Sequence, residues 1–167
     1  EYGGSFYKDY NKMLNNEKID IAINTLPHFL HKKASIDAAE QGCHVLLEKP
    51  MAINEKEWED IILSCNKNNV KLQIGHVQSY QPANIKAREY VENRKLGDLL
   101  MIVNERYVNY FTDQRPDWFL KKETAGGGII MNLGAHSFEL VKYLSGADIE
   151  SIRAKVSCPQ GEEVEGN

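Results

Sequence analysis

Two short sets of polar residues in this sequence have the types and spacing that proton chemistry needs. The first is Glu48-Lys49-Pro50, which directly follows the apolar run 43–47. A lysine that emerges from a buried strand lies beside apolar walls, and such surroundings favour the neutral, proton-accepting form of an amine. A salt-bridged strand end without a catalytic role is the alternative for so short a motif. The pattern makes Lys49 a candidate catalytic residue.

The second set follows three consecutive glycines, residues 126–128. Glycines before a helix let the backbone approach another group closely, and they leave free N–H groups at the helix start. Asn132, His136 and Glu139 then stand at positions i, i+4 and i+7, so they share one helical face. An imidazole held in one tautomer by a nearby amide can act as a general base. The alternatives are a polar stripe at a domain junction and a metal site, for which this ligand set is poor.

The elements around the first set alternate between helix and strand. Strands are predicted at 19–25, 43–47 and 70–75, and helices at 7–16, at about 28–41 and from Asn54 onward, where Asn54 and Glu57 form a capping box. The nearly continuous apolar residues of 19–25 indicate a strand covered on both faces. The alternation predicts an α/β fold with a parallel sheet and right-handed crossovers.

Ligands of open α/β sheets bind at the carboxyl edge of the strands. The residues that follow the predicted strands should therefore line one crevice, with His136 facing it from the second half of the chain. Trp118 either closes over this crevice or anchors an ordinary interface. The candidate cofactor-binding residues are Thr25, Leu26, Pro27, His31, Glu48, Lys49, Pro50, Gln78 and Trp118.

The pattern changes after residue 78. A helix at 82–95, a long β run at 99–111, a polar loop at 112–124, a glycine-led helix at 125–145 and a final strand at 149–157 are predicted. These elements indicate the beginning of an α+β domain with an open, mainly antiparallel sheet. The predicted domains are 1–78 and 79–167.

Composition excludes several classes of function. The net charge is −4 and no basic stripe is present, so nucleic acid is not an expected partner. No apolar run approaches the roughly 20 residues that cross a bilayer. The three cysteines form no Cys-x-x-Cys pair, which argues against a disulfide framework and a zinc site and favours the cytoplasm.

Taken in order, these segments resemble the glucose–fructose oxidoreductase and inositol dehydrogenase family, Gfo/Idh/MocA. The matching elements are 19–27 with His31, 42–50, 75–78, 96–98, and 126–128 with Asn132, Gly134 and His136. The resemblance implies an NAD- or NADP-dependent oxidoreductase with a Rossmann domain and an α+β domain that often forms the oligomer interface. It implies a sugar, cyclitol or nucleotide-sugar substrate, with Lys49 near the reacting hydroxyl and nicotinamide and His136 as acid/base. We expect Asn132 to orient His136 or a neighbouring hydroxyl.

The sequence departs from the family pattern in three places. Asn132 and Glu139 stand where the family usually has Asp. Asn132 cannot take a proton, and the resemblance implies a nucleotide-sugar substrate rather than an inositol, because members with Asn at this position resemble nucleotide-sugar dehydrogenases. No Gly-x-Gly-x-x-Gly turn is present to hold a pyrophosphate. We therefore expect an internal piece of a longer protein that lacks the first β-α-β unit, binds NAD(P) weakly or not at all by itself, and self-associates through exposed sheet edges. A non-catalytic binding or assembly module is the alternative.

Overall fold

The computed structural model describes residues 3–158 and 161–166. It divides into two compact units, Glu1–Gly75 and His76–Asn167.

The first unit alternates helices and strands in the predicted order. Its elements are α1 (Tyr10–Asn16), β1 (Ile21–Asn24), α2 (His28–Glu40), β2 (His44–Leu47), α3 (Glu55–Lys67) and β3 (Leu72–Ile74). The strands form a parallel sheet in the order β1-β2-β3. The predicted α/β class is confirmed.

The core of this unit lies between the sheet and its helices. Small residues of α2 allow close packing on β2, and one stripe of α3 covers the same side. The buried cluster comprises Leu14, Ala38, Ala39, Cys43, Val45, Leu47, Ala52, Ile61 and Cys65. The predicted cap of α3 is present, because Asn54 accepts a hydrogen bond of 3.0 Å from the Glu57 N–H.

Strand β1 differs from the prediction in its burial. Ile21 and Ile23 are 60% and 67% exposed, whereas Asn24 is buried on the opposite side. Strand β1 is the end strand of the three, and only one of its faces is covered. A continuous apolar run does not by itself say which face of a strand is covered.

The second unit consists of helices and irregular segments. Its elements are a 3-10 turn (Gln78–Tyr80), α4 (Pro82–Glu92), a second 3-10 turn (Asp117–Leu120), α5 (Lys122–Ala125), a π-helical turn (Ile130–Gly134) and α6 (Ala135–Ser145). The single helix expected at 125–145 is thus interrupted. Gly126 ends α5 in the left-handed conformation, with φ of 82°, and the chain turns before it becomes helical again.

The expected strands at 99–111 and 149–157 have no ladder partners among residues 76–158 and 161–166. In that range the structure contains one isolated bridge, between Lys95 and Gly97, in place of the expected antiparallel sheet. Leu100 and Tyr107 are 94% and 86% exposed. Their sequence suits a half-buried pleated surface, but a strand forms only where another backbone supplies its hydrogen bonds.

None of the helices in the described residues is long and apolar enough to cross a membrane. Cys43, Cys65 and Cys158 are free thiols. Burial raises the pKa of Cys43 and of Cys65, so both act as small core residues.

Candidate functional site

The carboxyl ends of the three strands lie along one edge of the first unit. The Glu48 N–H donates to the Asn24 carbonyl at 3.0 Å, and the Gly75 N–H donates to the Leu47 carbonyl at 2.7 Å. The ladder therefore continues to the point where each strand ends. This pairing places the loop Thr25–Pro27, the loop Glu48–Pro50 and Gly75 side by side.

Lys49 is half-buried on the loop that follows β2, and the peptide bond between Lys49 and the buried Pro50 is cis. Its neighbour Glu48 turns back toward the backbone and accepts a hydrogen bond of 3.2 Å from the Lys49 N–H. A Cβ at Gly75 would lie 3.3 Å from Glu48 Oε1, so the Glu48 carboxylate packs tightly against the end of β3. Glu48 thus shapes the loop that carries Lys49.

His31, expected to bind the cofactor, has a different position. It is 1% exposed, with Nδ1 2.8 Å from the Pro50 carbonyl oxygen and Nε2 2.7 Å from the Leu26 carbonyl oxygen. Both ring nitrogens face the backbone, so the ring offers no nitrogen to a ligand. His31 instead ties the loop after β1 to the loop after β2.

Asn24 is a site residue that the sequence reading missed. Its amide nitrogen donates to the His31 carbonyl at 3.2 Å and to Ser35 Oγ at 3.0 Å. Its oxygen accepts the Leu26 N–H at 3.2 Å. The available signal was a polar residue at the end of an otherwise apolar strand, since a buried amide needs partners. Asn24 fixes the turn that leads to the exposed Thr25 and Leu26.

The second unit places Asn132 within the π-helical turn and His136 in the first turn of α6. Asn132 is buried and His136 is half-buried. Turns of this kind occur often at functional sites, since the extra residue redirects side chains. The structure thus brings Asn132 and His136 onto consecutive turns, as the spacing predicted, but through a π turn that the spacing did not reveal.

Glu139, the third residue of the predicted face, binds backbone groups. Its two carboxylate oxygens accept the N–H groups of Gln78 and Ser79 at 3.2 and 2.8 Å. Gln78 in turn receives Asn84 Nδ2 on its carbonyl oxygen at 2.8 Å. Glu139 therefore fixes the 3-10 turn that carries Gln78. Among the described residues there is no group of three or more His, Cys, Asp or Glu side chains placed to hold a metal.

Trp118 is half-buried in the second 3-10 turn, where its ring meets Phe119 edge-on at 5.0 Å between centroids. Phe119 also lies under the Arg115 guanidinium, 4.7 Å from the ring centroid. This aromatic cluster gives Trp118 a fixed local position within the second unit. Its contact with a cofactor stays a prediction.

The fold and the strand-end loops define a class of protein, the α/β proteins that bind a ligand at the carboxyl edge of a parallel sheet. Two family models match the chain: the oxidoreductase family with an NAD-binding Rossmann fold over residues 1–76, and the GFO/IDH/MocA C-terminal domain over residues 84–167. The chain belongs to the Gfo/Idh/MocA family of oxidoreductases, whose cofactor is NAD or NADP.

Individual relatives agree with this assignment. The 2,7-anhydro-N-acetylneuraminate hydratase of Mediterraneibacter gnavus is 26% identical over 86% of this chain and 38% of its own length. The scyllo-inositol 2-dehydrogenase (NAD(+)) of Bacillus subtilis is 26% identical over 87% of this chain and 41% of its own length. The aldose-aldose oxidoreductase of Caulobacter crescentus, in complex with glycerol, is 28% identical with a TM-score of 0.68, over 84% of this chain and 41% of that one. The chain thus spans about two fifths of the length of these relatives.

Proposed function

We propose that the protein is an NAD(P)-dependent oxidoreductase that moves a hydride between the cofactor and a secondary hydroxyl of a sugar, a cyclitol or a nucleotide sugar. The observation that carries the proposal is the position of Lys49. It is half-buried at the carboxyl edge of a parallel sheet, within the segment that matches the family's NAD-binding domain.

The strand-end residues fit the nicotinamide end of a dinucleotide. Exposed Leu26 and half-buried Pro27 offer an apolar wall, and Lys49 on the neighbouring loop offers a hydrogen-bond donor. These residues would hold the nicotinamide, while the 167 residues supply no glycine-rich turn for the pyrophosphate. When bound, the nicotinamide accepts or returns the hydride. Gln78 and Trp118 are further proposed contacts.

Each polar side chain then has a separate task. His136 takes the proton of the reacting hydroxyl, and Lys49 donates a hydrogen bond to the same oxygen as negative charge develops there. Asn132 is neutral, so it orients His136 or a neighbouring hydroxyl rather than moving a proton. General acid–base assistance of this kind is worth about 10² to 10⁴ in rate.

The substrate class rests on Asn132 and on the relatives. The named relatives act on an inositol, an aldose and an anhydro sugar acid. Carbohydrates with several free hydroxyls are therefore the first compounds to test. Position 132 carries a neutral amide in place of a carboxylate, so it does not repel a negatively charged substrate. Nucleotide sugars, which carry negative charge, are therefore also among the first compounds to test.

The test uses the protein as expressed from its own gene. Purified protein is incubated with NAD or NADP and a panel of inositols, aldoses, anhydro sugars and nucleotide sugars, while reduced nicotinamide is followed by absorbance. Turnover with at least one compound is expected. Because one relative is a hydratase, products are also analysed by mass spectrometry. Hydration without net cofactor reduction would replace the dehydrogenase proposal, and no conversion together with no cofactor binding would favour a non-catalytic assembly module.

We also propose that the 167-residue chain self-associates through the open edge of its sheet. Strand β1 is the end strand of its sheet and leaves Ile21 and Ile23 exposed. Unpaired backbone beside apolar side chains is a template for pairing with another chain. We expect the 167-residue chain by itself to form an oligomer in sedimentation velocity, and a concentration-independent monomer would contradict this.

A further inference from the structure

The glycine turn of the second unit, residues 126–128, is occupied by the protein's own chain. A Cβ at Gly128 would lie only 2.0 Å from the Glu165 carbonyl oxygen, and a Cβ at Gly127 would lie 3.5 Å from the Glu165 carboxylate. Val164, next to it, is buried. The group that Gly128 admits is therefore residue 165, and the close approach expected from the sequence is made by the backbone of the same molecule.

Glu165 also supplies the hydrogen-bond acceptors that the start of the helical segment needs. Its backbone carbonyl accepts the Ile129 N–H at 3.0 Å, and its carboxylate Oε1 accepts the Ile130 N–H at 3.0 Å. The first N–H groups of a helix have no partner within the helix. A carboxylate at that end is also stabilised by the helix dipole. One residue thus caps the helix with both its backbone and its side chain.

The capped turn leads directly to the candidate catalytic residues. The Asn132 N–H donates to the Gly128 carbonyl at 3.0 Å, so Asn132 is fixed from the turn on which Glu165 rests. His136 follows Asn132 by four residues. A shift of the first turn would therefore displace Asn132 and the start of α6 together.

A buried phenol connects the same groups electrostatically. Burial raises the pKa of Tyr110, and the Glu165 carboxylate raises it further. Arg115 and the Asn132 side chain lower the same pKa. Tyr110 is thus close enough to respond both to the Glu165 carboxylate and to Asn132.

We infer that Glu165 is a positioning residue for the proposed reaction, acting by fixing the turn that carries Asn132 and His136. The inference rests on the proposed function, because it assigns Glu165 a role in that reaction. A brace that only stabilises the fold is the competing role. If Glu165 is a positioning residue, its substitution displaces Asn132 and His136. If it is only a brace, substitution lowers the stability of the fold without displacing them.

Three variants and one control separate these roles in the protein as expressed from its gene. Glu165→Ala removes the carboxylate, Glu165→Gln keeps an oxygen that can accept the Ile130 N–H, and Glu165→Asp keeps the charge but shortens the reach. Glu163→Gln is the matched control, since Glu163 is exposed and accepts the Lys122 N–H at 3.3 Å.

We expect Glu165→Ala to lower kcat by about 10²-fold, the typical cost of a misplacement of about 1 Å, with KM for the cofactor unchanged. Glu165→Gln should recover most of this loss, Glu165→Asp should recover little, and Glu163→Gln should match the wild type. If Glu165→Ala does not fold, the contrast between the Gln and Asp variants decides. A kcat within twofold of the wild type in both Glu165→Ala and Glu165→Asp would overturn the inference.

A nuclear magnetic resonance measurement does not depend on turnover. Amide exchange at Ile130 should accelerate in Glu165→Ala, and the Asn132 side-chain and His136 ring resonances should shift, with neither change in Glu163→Gln. Unchanged Asn132 and His136 resonances would overturn the inference. A wild-type protein without any turnover would instead contradict the proposed function, and the resonances would still decide whether Glu165 positions these residues.

Discussion

The two candidate sites are built in different ways, although each follows a short motif with the right residues. At the strand ends of the first unit, the ties are made by the buried His31 and Asn24, and Leu26 and Thr25 remain exposed. At the glycine turn of the second unit, the free N–H groups are taken by Glu165. The first site is thus an open edge that can receive a ligand, and the second is a closed turn that holds a helix in place.

This difference shows that glycines beside a helix with candidate catalytic residues do not by themselves indicate a ligand cradle. A phosphate cradle and a self-capped turn need the same residues, since both require a close approach of the backbone to an acceptor. Only the identity of that acceptor separates them. In this protein the acceptor is Glu165, 37 residues after Gly128 in the sequence.

The largest expected effect is the loss of turnover when the candidate catalytic side chain of either site is removed. In the protein as expressed from its gene, Lys49→Ala and His136→Ala should each lower turnover by about 10²-fold or more, because each removes a group that donates or accepts a proton or hydrogen bond at the reacting oxygen. Cofactor binding, followed by nicotinamide fluorescence, should persist. Lys12→Ala, an exposed lysine on α1, is the control. Near-normal turnover in either variant would remove that residue from the mechanism.

The next effect tests whether the glycine turn is closed. Gly128→Ala should lower the free energy of unfolding of the second unit by about 3 kcal/mol, at the upper end of the cost of overpacking, because its Cβ would meet the Glu165 carbonyl. Gly127→Ala is the matched variant: its Cβ would lie 3.2 Å from the Met131 Cβ, and a smaller loss is expected. Urea unfolding measures both. Equal stability of the two variants would mean that Glu165 does not occupy the turn.

A third variant tests the tie at the strand ends. His31→Ala leaves the carbonyl groups of Leu26 and Pro50 without their ring partner, and the loss of a buried hydrogen-bond partner costs about 1–3 kcal/mol. His44→Ala is the control, because His44 is exposed and accepts a hydrogen bond from the Lys71 N–H. Urea midpoints should fall for His31→Ala alone. A fall of equal size in the control would show that His31 has no special role.

The smallest effect concerns surface charge in the second unit, away from the glycine turn. Hydrogen bonds from Lys86 and Lys95 lower the pKa of Glu89 to about 2. A carboxylate with a lowered pKa stabilises the fold above its ordinary pKa of 4.5, and the contribution is lost as the pH falls toward 2. Because Glu89 is on the surface, this contribution is small and screened by salt.

Carboxyl chemical shifts followed over pH measure the titration of Glu89 directly. Lys95→Ala should move the midpoint upward, because it removes one of the two ammonium partners. Lys12→Ala, on the other unit, should not move it. An unchanged midpoint in Lys95→Ala would show that Lys86 alone holds the carboxylate.

The sequence by itself determined the elements of the first unit and their parallel order. Helix caps such as Asn54 and the apolar runs before Lys49 are local signals, and the alternation of helix and strand leaves few topologies. The order of the motifs likewise identified the family before any geometry was known. The prediction that residues 99–111 and 149–157 belong to an antiparallel sheet was wrong, because a strand needs a pairing partner that the local pattern does not specify.

Only the tertiary structure decided which partners the polar residues contact. His31 was predicted to contact the cofactor, but its ring nitrogens lie against backbone carbonyl oxygens. The Glu139 carboxylate accepts the N–H groups of Gln78 and Ser79. The tertiary structure also assigned the glycine turn to Glu165. The physical reason is common to these cases. A polar side chain or a free N–H group takes the nearest suitable partner in space, and residue spacing along the chain does not give that distance.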